Sequence, residues 1–176
     1  MVAGCVIFSR GGRNESESRS QAGVLSFAVA LACLVTYAAV IPFCSSPQTN
    51  QIYMAGMDIS RFAQSHPGVY AMGDRAGAVG YLVNAPVVQL EGLMMDKEFL
   101  RNIRSERDLL DVLKQDHVRY YIRVSTSSVP DADGCFRAKE PVQAGPDSPT
   151  MSAHICKVPV AVFPRGGFVN EIFQMY

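Results

Sequence analysis

Four polar residues at the ends of two short apolar runs are the best candidates for chemistry in this sequence. Asp74 and Arg75 follow VYAMG, and Gln89 and Glu91 sit in VVQLEG. If the two runs are neighbouring strands, the four side chains share one sheet edge, where open α/β sheets form their ligand crevices. Two carboxylates, a guanidinium and an amide suit binding through hydrogen bonds. As an acid–base pair they lack a nucleophile or metal beside them. Asp74 and Arg75 equally suit bonding each other or capping a helix. Gly73, Gly77 and Gly80 of GDRAGAVG stand where a helix N-terminus receives phosphate. Their spacing fits neither the dinucleotide fingerprint nor a Walker loop, and a tight turn with close helix–sheet packing explains them more simply.

His66, His117 and His154 fall at element ends in unrelated contexts, as surface or capping residues do. No GxSxG, HExxH or Cys-His arrangement is present. The sequence therefore assigns no catalytic residue, no metal ligand and no cofactor. Of five cysteines, Cys5, Cys33 and Cys44 belong to the N-terminal quarter. Cys135 and Cys156 are not at CxxC spacing and have no histidines at zinc-ligand intervals. In an oxidising compartment they form a disulfide closing the DADGC…HIC loop; otherwise they are two thiols.

These residues need a scaffold, and the chain offers two parts. AGVLSFAVALACLVTYAAVIPF, from Ala22 to Phe43, carries no charge. Its roughly 22 residues would span about 33 Å as a helix, enough for a bilayer core of about 30 Å. Ser26 and Thr36 can bond back to the preceding turn. Tyr37 and Phe43 suit the interface, and Pro42 and Pro47 end the helix. Arg10, Arg13 and Arg19 precede this run, and the next basic residue is Arg61. That bias places residues 1–21, a leader or remnant, in the cytoplasm and everything beyond Cys44 outside. The run is longer than a signal-peptide core and ends without a small-x-small site, so an uncleaved anchor in the lipid bilayer is expected. Sixteen basic and sixteen acidic residues give zero net charge, and no basic stripe marks a nucleic-acid partner.

Residues 44–51 read as a polar linker. Apolar residues at helical spacing from Ile52 to Ser65 predict a helix, ended by His66-Pro67-Gly68. Val69–Met72 and Val87–Leu90 predict strands joined by a helix over Ala76–Val83, and hence a parallel pair. Glu91-Gly92-Leu93 is a turn. Asp96 caps a helix burying Phe99, Leu100 and Ile103. Ser105 and Asp108 form a capping-box start for a helix carrying Leu109, Leu110, Val112 and Leu113, closed by His117. VRYYIRV alternates as a half-buried strand, with Val118, Tyr120, Ile122 and Val124 facing one way and Arg119, Tyr121 and Arg123 the other. Ser125–Ser152 reads as a long loop. KVPVAVFP is a last strand, at an edge because of Pro159, and FVNEIFQMY is a docked tail. The fold class is α/β: one N-terminal transmembrane helix, then a small α/β domain over 52–176 with a mixed sheet.

Three separated pieces carry a family resemblance: Asp74, Gly77, Gly80 and Tyr81; Leu90-Glu91-Gly92-Leu93; and Val118-Arg119-Tyr120-Tyr121-Ile122. In that order they resemble the extracytoplasmic C-terminal domain of bacterial GT-C-type glycosyltransferases that use polyprenyl-phosphate sugars, the protein mannosyltransferase-like enzymes. The resemblance covers about a third of the chain and includes a membrane helix just before the domain. It implies a bacterial inner-membrane location, a multi-span membrane protein or lipid-linked sugar as partner, and help in engaging acceptor or donor. The family's catalytic acids lie in an early loop between membrane helices, for which this chain has no counterpart. No catalytic residue carries over, and MVAGCVIFSRGGR suits the remnant of a preceding span in a fragment. A free-standing, membrane-anchored binding domain is the alternative.

Overall fold

Pro47 stands at the start of a helix, where a missing backbone N–H and a fixed φ cost nothing. The expected linker is therefore largely helical. The computed structural model describes residues 15–44, 46–92, 96–142 and 145–176. Its elements are α1 (Glu15–Cys44), α2 (Pro47–Ser65), β1 (Tyr70–Met72), α3 (Ala76–Leu82), β2 (Val87–Gln89), α4 (Lys97–Arg104), α5 (Leu109–Gln115), β3 (Tyr120–Ser125), β4 (Phe136–Glu140), β5 (Met151–Ile155), β6 (Ala161–Arg165) and β7 (Phe168–Gln174). The chain divides into two units, one ending at Ser46 and the other running from Pro47 to Tyr176.

In the first unit, α1 begins seven residues before Ala22 and continues past Pro42 to Cys44. A proline this near the end withdraws a single donor from the last turn, which the helix tolerates. Thr36 Oγ1 donates to Ala32 O at 2.8 Å, the back-bond expected of a hydroxyl with no polar neighbour. Among the described residues no helix is long and apolar enough to cross a membrane. The described side chains of α1 run from Leu25 to Ile41, none of them charged. The expected remnant MVAGCVIFSRGGR, with Cys5, lies outside the described residues.

The second unit is a mixed α/β domain. Its five-stranded sheet has the order β2-β1-β3-β7-β6. β2, β1 and β3 are parallel, with Met72 opposite Gln89 and Ile122, while β7 runs antiparallel to both β3 and β6. A separate antiparallel pair, β4–β5, is joined by the Cys135–Cys156 disulfide. One sheet face packs Tyr70, Met72, Tyr120, Ile122 and Ile172 against Ile59 of α2 and Val79 of α3. The other packs Ala71, Tyr121 and Phe173 against Phe99 of α4, Leu109 and Leu113 of α5, and Phe136 and Met151 of the hairpin. Gly56 lets α2 and α3 approach, since a Cβ there would lie 2.6 Å from Leu82 Cδ1.

The local signals hold where they are chemical. Asp96 accepts from Phe99 N at 2.9 Å, and the β1–α3–β2 parallel unit forms with its short crossover. The cap of α5, however, is Asp108, which accepts from Leu110 N at 2.7 Å; Ser105 instead ends α4. Leu100 points away from the core and is 37% exposed. Leu93 lies outside the described residues.

Larger corrections concern burial and pairing. β3 is not half-buried: Tyr120, Tyr121 and Ile122 are all buried, because this central strand is covered on both faces. The expected loop at 125–152 contains all of β4 and the start of β5, and the expected docked tail is β7, hydrogen-bonded on both sides. β6 is an edge strand and holds Pro164, which such a position tolerates; Pro159, from which the edge was expected, precedes it, and β7 follows it as the last strand. Two ion pairs tie these late elements down. Glu171 of β7, fully buried, pairs with Arg123 and accepts from Ser128 Oγ at 2.6 Å. Arg123 Nε also donates to Arg137 O of the hairpin at 2.8 Å. Asp58 of α2 accepts from Arg165 Nε at 2.8 Å, joining the helix to β6.

Candidate functional site

Parallel strands point their carboxyl ends the same way, so the residues after Met72 and after Gln89 emerge side by side. Asp74 and Arg75 belong to the turn between β1 and α3. Arg75 takes a left-handed conformation, φ 68°, at the helix start. Its Nε lies 3.2 Å from Asp74 Oδ2, and its guanidinium carbon stands 3.8 Å from the centre of the Phe168 ring. Arg75 Nη1 is buried with no hydrogen-bond partner among the described residues. It lines a cavity of about 10 Å³ with Asn170, whose side-chain amide is likewise unpartnered. The guanidinium is thus committed to the ring of β7 as much as to Asp74.

Glu91 follows β2. Burial raises its pKa above the ordinary carboxylate value, and Asp74 nearby raises it further. Gln89 lies opposite Met72 in the register. By strand alternation it shares the face of Val87, which packs on the α2–α3 side. Of the four residues expected to converge, Asp74 pairs with Arg75 and acts on Glu91, whereas the Arg75 guanidinium reaches the α2–α3 side, the face on which Gln89 falls by alternation.

The group is completed by residues that the sequence did not nominate. Glu140, at the end of β4, is 1% exposed. Its Oε1 accepts from the Tyr121 hydroxyl at 2.9 Å, and its Oε2 has no hydrogen-bond partner among the described residues. The carboxylate occupies the space a side chain at Gly73 would take. That is the requirement for glycine in GDRAGAVG; a Cβ at Gly77 would meet nothing, and one at Gly80 would make ordinary contact. Burial raises the Glu140 pKa to about 7; the Tyr121 hydroxyl pulls it down, Glu91 and Asp74 push it up, and the Val142 amide opposes them. Tyr121, wholly enclosed, is raised well above its ordinary value by burial and by Glu140. The signal for Glu140 was legible in principle: Phe136, Ala138 and Glu140 alternate inward in FRAKE, a period-2 pattern inside a segment of loop-like composition.

The arrangement is a buried Glu140–Tyr121 pair with Asp74 and Glu91 near the Glu140 carboxyl, Arg75 beside Asp74 and Arg123 acting on Tyr121. It can hold a proton near neutral pH and can accept hydrogen bonds from hydroxyl or ammonium groups. Among the described residues no group of histidines, cysteines or carboxylates is placed to hold a metal ion. Of the histidines, His66 Nδ1 lies 2.9 Å from Phe62 O at the end of α2 and its ring stacks on Phe62 at 3.9 Å. His117 and His154 are exposed. No family model matches this chain, and neither a curated protein nor a solved structure does.

Proposed function

We propose that this chain is a membrane-anchored extracytoplasmic domain that serves a lipid-linked-sugar-dependent glycosyltransferase, engaging acceptor or donor rather than carrying out transfer by itself. The observation that carries this reading is the placement of the three resembling pieces. Asp74 follows β1, Glu91 follows β2, and Val118–Ile122 leads into β3, which are adjacent strands of one parallel unit. Pieces scattered over the sequence thus belong to one structural unit.

The anchor is supported by α1. Leu25, Phe27, Val29, Leu31, Val35 and Tyr37 are all more than half exposed, and at 100° per residue they surround the helix axis. A helix apolar on all sides is at home in lipid or in a protein core and not in water. A disulfide at Cys135–Cys156 suits an extracytoplasmic compartment. Together with Arg10, Arg13 and Arg19 before the helix, this supports a cytoplasmic N-terminus at a bacterial inner membrane.

The test has two readouts on the full chain expressed in a bacterial host. Carbonate-washed membranes should retain the protein, and protease added to spheroplasts should digest the region after Ser46. In vivo crosslinking from positions near Asp74 and Glu91 should capture a multi-span membrane protein. Release by carbonate would refute the anchor; a membrane-bound chain that crosslinks to nothing would refute the transferase association. The second reading, a free-standing binding domain, draws on the Asp74–Glu91–Glu140 group and would then remain.

A further inference from the structure

Asp74 and Glu91 follow the carboxyl ends of β1 and β2, whereas Arg119 precedes the amino end of β3. A cleft of about 630 Å³ there is lined by Lys114, His117, Arg119 and Tyr176. No acidic residue lines it among the described residues, although Asp116 adjoins His117 and Asp111 acts on the Tyr176 hydroxyl. In a chain whose charges sum to zero, three basic side chains around one cleft are a local concentration.

The side chains come from three positions in the fold. Lys114 is in the last turn of α5. His117 takes a left-handed conformation, φ 54°, at a helix end that glycine would occupy with less strain. Arg119 immediately precedes β3 and is the most constrained. Its backbone N–H donates to Val69 O at 2.8 Å and its carbonyl accepts from Met175 N at 2.8 Å. Its stem lies on Gly68, where a Cβ would come within 2.8 Å of Arg119 Cδ, and its Nη1 donates to Pro67 O at 3.2 Å. A guanidinium fixed by its stem and by one carbonyl keeps further N–H donors in a set geometry, which lowers the entropy lost on binding an oxyanion.

We propose that this cleft is a binding site for a phosphate group, with Arg119 as the oriented donor, Lys114 as a mobile positive charge, and His117 and Tyr176 as flanking hydrogen-bond donors. The chemistry is common to a soluble phosphate ester and to a phospholipid headgroup. This inference does not depend on the transferase reading, since it concerns other residues at the opposite strand ends.

The experiment titrates the full chain in phosphate-free maltoside micelles at low ionic strength, with pyrophosphate in one arm and phosphatidylglycerol doped into the micelles in the other. The readouts are the thermal midpoint and the NMR shifts of the His117 ring. A saturable response is expected in at least one arm, and the arm that responds identifies the source of the phosphate. Lys114→Gln, an exposed position, should weaken the response about tenfold without changing the unliganded midpoint. Arg119→Lys should weaken it further while keeping the charge. Lys97→Gln, on α4, should leave it unchanged. Saturation in neither arm, an equal response to sulfate at matched ionic strength, or an unaltered response in Lys114→Gln would each overturn the proposal.

Discussion

Replacing Glu140 by glutamine should make the domain more stable at pH 8 and remove most of its stability change between pH 4.5 and 7. Burial raises the Glu140 pKa from 4.5 to about 7 in the folded protein. The folded state therefore holds a proton that the unfolded chain has released over this interval. Where the folded state binds more protons, stability falls as pH rises. Below about pH 4.5 both states are protonated and there is no penalty; above about pH 7 the penalty is complete. Two to three units at 1.36 kcal/mol each amount to about 3 kcal/mol, a large share of a stability that is commonly about 5–15 kcal/mol. Glu91 and Asp116, also raised, add to the fall in the same direction. Glutamine keeps an oxygen for the Tyr121 hydroxyl and removes the charge that Asp74 and Glu91 oppose. Urea unfolding of the full chain, followed by far-UV circular dichroism because the chain contains no tryptophan, should be measured at intervals from pH 4.5 to 8. The midpoint should fall with pH in the native chain and stay nearly level in Glu140→Gln. Tyr121→Phe should steepen the fall, since it removes the hydroxyl that favours the ionised form. A native chain that gains stability over this range, or a glutamine variant with the native slope, would refute the reasoning.

Gly73→Ala places a methyl group where the Glu140 carboxylate sits; the displaced carboxylate should cost about 1–3 kcal/mol in unfolding free energy, and a neutral result would contradict the contact. Arg123→Ala leaves Glu171 charged inside the sheet without its cation, at a cost of about 3–5 kcal/mol, read from the same urea midpoints. Reducing the Cys135–Cys156 bond, whose partners are 21 residues apart, should lower stability by about 3 kcal/mol by freeing a loop of that length in the unfolded chain. Protease cleavage between residues 140 and 151 should then accelerate, and a midpoint insensitive to reductant would remove the hairpin from the stabilising core.

Some of this protein was settled by neighbours in sequence. The uncharged run at Ala22–Phe43, the Asp96 cap, the helix between two short strands and the edge position of a proline-bearing strand each follow from interactions within a few residues, which a sequence displays directly. The parallel pairing of β1 and β2 brought Asp74 and Glu91 to one edge. What the sequence withheld was decided across long separations. VRYYIRV alternates, yet alternation reveals a single buried face, and β3 has two because α2 and α3 cover one while α4, α5 and the β4–β5 hairpin cover the other. β7 forms from a tail whose Asn170 and Glu171 argue against a central strand until Arg123 supplies the counter-charge. Glu140 looked like a loop carboxylate. Only the docking of β4 over Gly73 turns it into the buried third member of the acidic group, because burial, and the proton it holds, is a property of the assembled faces and of no single segment.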